Sequence, residues 1–228
     1  MRKLLIALAS LAVLLVTADR VSVMIAENQI SDRIAAVYSL PAKPAVTIEG
    51  FPFLTQVLTG EYSRVDVSAD RVPADGMTLR NLRAQFSGVH AALSDVLGRG
   101  AASVTASDAS GSAVVALGQV GRRLPGGVRL RPAGKNLDVS GTFHYQGSRL
   151  PVSATVAVGV TDSGLKVRPV RVRLPGGASL PAGAYSSQLG AVIPLGVLPL
   201  HLRLNSVQVT RGGLRIGAAA TDVHFART

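Results

Sequence analysis

The chain has 228 residues, is 47% hydrophobic, 16% charged and only 4% aromatic with no tryptophan, and has a mean hydropathy of +0.34, which excludes a disordered polyelectrolyte. Its formal net charge of +11 comes almost wholly from arginine. Those arginines are scattered, with no zinc-finger or ribonucleoprotein spacing, so nucleic acid is disfavoured and anionic lipid headgroups or acidic glycans are the fitting partners.

The first stretch, MRKLLIALASLAVLLVTADR, places Arg2 and Lys3 before an uncharged apolar run over 4–18. As helix that run reaches about 22 Å, short of the roughly 30 Å of bilayer hydrocarbon. Residues 1–18 therefore read as an export signal peptide or an N-terminal anchor, followed by a single domain over 19–228. No cysteine is present, so disulfides and a cysteine-borne lipid anchor are excluded, and an exported chain without disulfides suits a bacterial envelope.

After Asp19, Val23, Ile30, Ile34 and Val37 recur near a 3.6 period, which predicts an amphipathic helix ending near Pro41. Beyond it the texture becomes period two: Val65, Val67, Ala69; Leu82, Ala84, Phe86; and Leu137, Val139, Gly141, Phe143, Tyr145. The alternation is strongest over 150–174, where a turn at Asp162, Ser163 and Gly164 predicts a hairpin. Arg211, Gly212 and Gly213 predict another near the C-terminus, and Asp75–Gly76 and Gln146–Gly147 mark further turns. Strands joined by short turns pair antiparallel, so the sheet is a meander. Short helices are expected in HAALSDVLG, SAVVALGQVGRRL and AGAYSSQLGAV. RLPGG occurs at 123–127 and 173–177, either as two similar turns or as the trace of a duplication.

Signs of catalysis are sparse. His90, His144, His201 and His224 are dispersed with no ligand-pair spacing, and neither a nucleophile elbow nor a phosphate-binding loop is present. A binding role is expected, with no catalytic residue, metal or cofactor. A scaffold for anionic glycans or partner proteins and a glycolipid hydrolase remain as rival classes.

The segment TIEGFPFLTQVLTGEY is the most informative. Pro52 suits the start of a two-turn helix and Gly60 its end, and Phe53, Leu54, Val57 and Leu58 fall at i, i+1, i+4 and i+5. So short a helix must dock against something apolar, either the core or lipid.

With its flanks, the segment resembles the signature of the LmeA-like family of exported actinobacterial proteins. A strand ends in G-F-P-F-L, a short helix ends in Gly, and an aromatic residue precedes a V-x-V strand, here Gly50, Phe51, Pro52, Phe53, Leu54, Gly60, Tyr62, Val65 and Val67. The resemblance implies an α+β fold similar to the tubular lipid-binding (TULIP or BPI-like) domains, a long N-terminal helix packed on a strongly curved antiparallel sheet with short helices. It further implies binding of phospholipid, phosphoinositides among them, in an apolar groove at a membrane surface, in support of envelope lipid or lipoglycan maintenance. On that footing Phe51, Phe53, Leu54, Val57 and Leu58 are expected to contact lipid. Arg129 with Arg131 and Arg171 with Arg173, each pair two apart on a predicted strand, either hold a phosphate headgroup or form solvated strand faces.

Overall fold

A computed structural model describes residues 2–74, 76–91, 104–123, 128–145, 148–161, 164–173, 179–181, 191–194 and 202–225. The chain begins with helix α1 (Arg2–Val37), strand β1 (Ala45–Glu49) and helix α2 (Phe53–Thr59). The long strands β2 (Glu61–Ala74), β3 (Met77–His90) and β4 (Thr105–Val115) follow, then helix α3 (Leu117–Arg123). Next come β5 (Arg129–Ala133), β6 (Asn136–Tyr145), β7 (Ser148–Thr161), β8 (Gly164–Arg173), β9 (Ser179–Pro181) and β10 (Ala191–Pro194). A last hairpin pairs β11 (Arg203–Thr210) with β12 (Gly213–His224).

The fold is α+β, a long N-terminal helix with antiparallel sheet and few short helices, as the family resemblance implied. Among the described residues the strands form two sheets, ordered β1-β2-β3-β4-β12-β11 and β10-β8-β7-β6-β5, with β9 paired to β8. By compactness the chain divides into two units, the first comprising residues 1–71, 83–110 and 220–228 and the second 72–82 and 111–219.

In the first unit α1 runs unbroken through Asp19, joining the apolar leader and the amphipathic segment that the sequence presents as separate pieces. Neither Gly nor Pro interrupts residues 2–37, so nothing in the backbone stops the helix. Its docked face begins at Asp19 and continues through Val23, Ile30, Ser31 and Ile34 at helical spacing, whereas Val37 is exposed. Strand β1 pairs with β2 on one side only, and α1 covers the other: the Ile48 N–H donates to Glu27 Oε1 at 2.8 Å and Ser31 Oγ donates to the Pro44 carbonyl at 2.6 Å. Val46 and Ile48 alternate inward from β1, and Phe53 and Tyr62 pack as a tilted ring pair 6.3 Å apart.

In the second unit the core consists of Leu117, Leu137, Val156 and Leu214, contributed by α3, β6, β7 and β12. Packed around them, Val139, Val158, Val167, Val207, Val209 and Ile216 point inward yet remain partly exposed. The hairpin read from residues 150–174 is β7–β8, with Val158 opposite Val167 and Thr161 opposite Gly164. SAVVALGQVGRRL is helical only from Leu117, because Ser112–Val115 completes β4. HAALSDVLG beyond its first two residues, AGAYSSQLG, both PGG turns and His201 lie outside the described residues.

Candidate functional site

Helix α2 is positioned by its two ends. Gly60 takes φ 72 and its N–H donates to the Gln56 carbonyl at 2.8 Å, a left-handed stop that glycine adopts without strain. At the other end Pro52 is the N-cap, one position before the first helical residue, and carries no acceptor for the free N–H groups of the first turn. The acceptor comes from α1: Asp19 Oδ1 takes the Leu54 N–H at 2.9 Å. Asp19 is 2% exposed, and its other oxygen accepts from Arg20 at 3.0 Å. The Arg20 guanidinium lies 5.0 Å from the centre of the Phe51 ring. Asp19 was not singled out from the sequence; the signal that pointed to it was a cap position occupied by proline, whose helix needs an acceptor from elsewhere.

The Leu54 N–H is the main cause holding the Asp19 carboxyl below its ordinary value of 3.8, against the opposing effect of desolvation, and the Phe53 N–H and Arg20 lower it further. Because the folded value is depressed, the stabilisation is complete above the unfolded value of 3.8 and is lost as pH falls through the lower folded value. Asp19→Asn is therefore expected to lower Tm at neutral pH by a few degrees, and the gap to the parent chain should close in melts carried out below pH 3.8. A gap that does not narrow on acidification would mean the charge contributes nothing.

The apolar residues of α2 divide between two faces. Phe53 is 5% exposed and points into the core of the first unit, with Gln56 and Val57 half-buried beside it. Phe51, Leu54 and Leu58 point away from it, at 63%, 39% and 87% exposure. Gly50, at φ 116, permits this arrangement, since a Cβ there would meet Gln56 Nε2 at 2.5 Å. Gln56 in turn ties α2 to β2 by accepting the Ser63 N–H at 3.0 Å. A cleft of ≈ 300 Å³ opens beside α2, bounded by Phe51, Gln56, Tyr62, Val89 and His90 among others. His90 Nε2 sits 3.6 Å from Glu61 Oε1, and no group of three metal-ligating side chains occurs among the described residues. Burial raises the Tyr62 phenol above its usual 10.0 and keeps it neutral.

Helix α2 meets α1 at Asp19 and Arg20, directly after the stretch 4–18 that carries no charge. Leu4, Leu5, Ile6, Leu8, Leu11 and Leu14 are all largely exposed, and α1 is long and apolar enough to cross a membrane by length and composition.

The four arginines singled out from the sequence lie on the second unit. Strand register places Arg129, Ser140, Ser153 and Arg173 directly across from one another over β5 to β8, and Arg131, Asp138, Thr155 and Arg171 in the neighbouring row. All four share the face opposite the aliphatic core, and all are exposed. Sequence spacing placed each pair on one side of its own strand; the register brings the two pairs onto one surface.

A long helix docked on antiparallel sheet through its later half, with its apolar first half and the outer side of α2 left exposed, presents surface suited to apolar ligands. The chain belongs to the LmeA-like phospholipid-binding family, whose model matches residues 17–219. No curated protein and no solved structure matches it at a significant level.

Proposed function

We propose that the chain is a non-catalytic, exported phospholipid-binding protein of a bacterial cell envelope that shelters acyl chains and supports envelope lipid or lipoglycan maintenance. The family match supports phospholipid as the ligand class, with phosphoinositide as a candidate headgroup. The observation that carries the reading is the exposed apolar side chains of the first unit, Phe51, Leu54 and Leu58 at α2 and Leu8, Leu11 and Leu14 on α1. Large apolar side chains left in the open in such number mark membrane or ligand contact. Partly exposed inward aliphatics of the second unit, such as Val139, Val158 and Ile216, add surface on which acyl chains can lie. An acyl carrier must replace most of the roughly 0.8 kcal/mol per methylene that a chain gains in a bilayer, which requires apolar surface unclaimed by the protein itself. Residues 1–18 act as signal or anchor at the membrane, and Arg129, Arg131, Arg171 and Arg173 supply charge for phosphate.

Extraction of the purified protein followed by mass spectrometry tests the reading. Phospholipid is expected at a fixed stoichiometry, along with transfer of labelled phospholipid between vesicles. A chain that carries none and transfers none would return the choice to a scaffold.

A further inference from the structure

Charge is divided unevenly between the two units. Residues of the first carry ten Lys or Arg and ten Asp or Glu, whereas residues of the second carry fourteen and three, so the whole formal charge of +11 belongs to the second. The ion pairs among the described residues, Arg20–Asp19, Lys43–Asp32, Arg64–Glu49 and His90–Glu61, all lie in the first unit. Cations of the second unit thus lack acidic partners within 4 Å among the described residues.

Strand alternation places six of these cations on one face. In β8, Lys166 and Arg168 point outward while Leu165, Val167 and Pro169 point inward or are buried. The register then shifts between Thr155 and Val156, leaving Val170 as an extra residue, and Arg171 and Arg173 return to the outer face with Val172 buried between them. Without that bulge the two halves of β8 would present their cations to opposite sides. Arg129 and Arg131 form the matching border on β5, three strand spacings or about 14 Å away. Between the borders β6 and β7 carry short side chains: Ser140, Ser153, Thr155, Ala157 and Gly159. The one acid within this field, Asp138, accepts a hydrogen bond from Thr155 Oγ1 at 2.7 Å.

We infer that this outer face, bordered by Arg129 and Arg131 on one side and Lys166, Arg168, Arg171 and Arg173 on the other, is a docking surface for an anionic phospholipid bilayer. The inference rests on the phospholipid reading above and goes beyond capture of a single headgroup. Six cations on two strands that border a field four strands wide match an array of phosphates rather than one, and the low floor between their longer side chains lets headgroups rise to meet hydroxyl donors. Guanidinium predominance favours phosphate oxygens, which it can engage in pairs.

The test uses the full chain and two kinds of vesicle, phosphatidylcholine alone and phosphatidylcholine mixed equally with phosphatidylglycerol. The ratio of the two affinities isolates the charge contribution, because any insertion of α1 acts on both. For R129Q/R131Q/R171Q/R173Q the ratio is expected to fall by on the order of 10² to 10³-fold, and raised salt should erase the parent's preference. R203Q/R211Q/R215Q, which also removes charge from the second unit but lies off this face, should retain most of it. Equal losses in both variants would reduce the effect to net charge, and an unchanged ratio in the first would overturn the inference. So would a quadruple variant that keeps its vesicle preference but loses binding to soluble heparin, which would assign the face to a glycan. If the quadruple variant does not fold, the strand-wise pairs R129Q/R131Q and R171Q/R173Q are read instead. Phospholipid retained by the purified variants tests the carrier reading separately, since that reading fails only if the parent chain holds no lipid.

Discussion

Phe53→Ala is expected to destabilise the protein by about 3–5 kcal/mol, whereas Leu58→Ala, on the same two-turn helix, should stay within about 0.5 kcal/mol of the parent. Both residues are large and apolar, and their spacing in the sequence treats them alike. Their environments differ: Phe53 is 5% exposed and packs 6.3 Å from the Tyr62 ring, while Leu58 is 87% exposed. Truncating Phe53 removes apolar burial, leaves a cavity and withdraws one half of a ring pair. It also loosens the seat of α2, since a seven-residue helix holds its shape through docking rather than through its own hydrogen bonds. Urea denaturation of the two variants provides the comparison. A Phe53 variant as stable as the parent would place that ring outside the core and return it to the candidate lipid-contacting residues.

Periodicity made the strands, the β7–β8 and β11–β12 hairpins and the docked face of α1 legible, because each depends on local alternation between apolar and polar residues. Gly60 was legible for a related reason, as a left-handed stop is local chemistry. The inward face of α2 was not. A stretch with Phe51, Phe53, Leu54, Val57 and Leu58 in eight residues is apolar on most sides, so rotation of α2 about its axis is fixed by anchors outside the helix: Asp19 on the Leu54 N–H, and the Ser63 N–H on Gln56. The continuity of α1 was hidden because the charges at Asp19 and Arg20 look like the end of a leader, yet Asp19 is buried where it closes the first turn of another helix. Sequence spacing likewise gave the side of each arginine pair but not their alignment, which four successive strand registers decide.

Leu58 also provides the sharpest test of membrane contact at α2. The chain contains no tryptophan, so L58W introduces a single indole at a position 87% exposed in the protein. When phospholipid vesicles are added, its emission should shift to the blue and be quenched by brominated acyl chains, since an interfacial helix settles with its apolar side at the headgroup and acyl boundary. Adding Phe51→Asp, on the same open side of α2 at 63% exposure, should weaken that insertion. Fully burying a side chain of this kind contributes about 1.5–3 kcal/mol, so its loss corresponds to roughly 10 to 10²-fold in local partitioning. Stability should change little, because Phe51 is largely exposed and its ring faces the Arg20 guanidinium, itself about half exposed. The readout belongs to α2 alone, so anchoring through residues 2–18 does not mask it. An indole that stays quenched by aqueous iodide and insensitive to brominated lipid, in a protein that still binds the vesicles, would show that α2 stands clear of the bilayer and that its greasy face serves another partner.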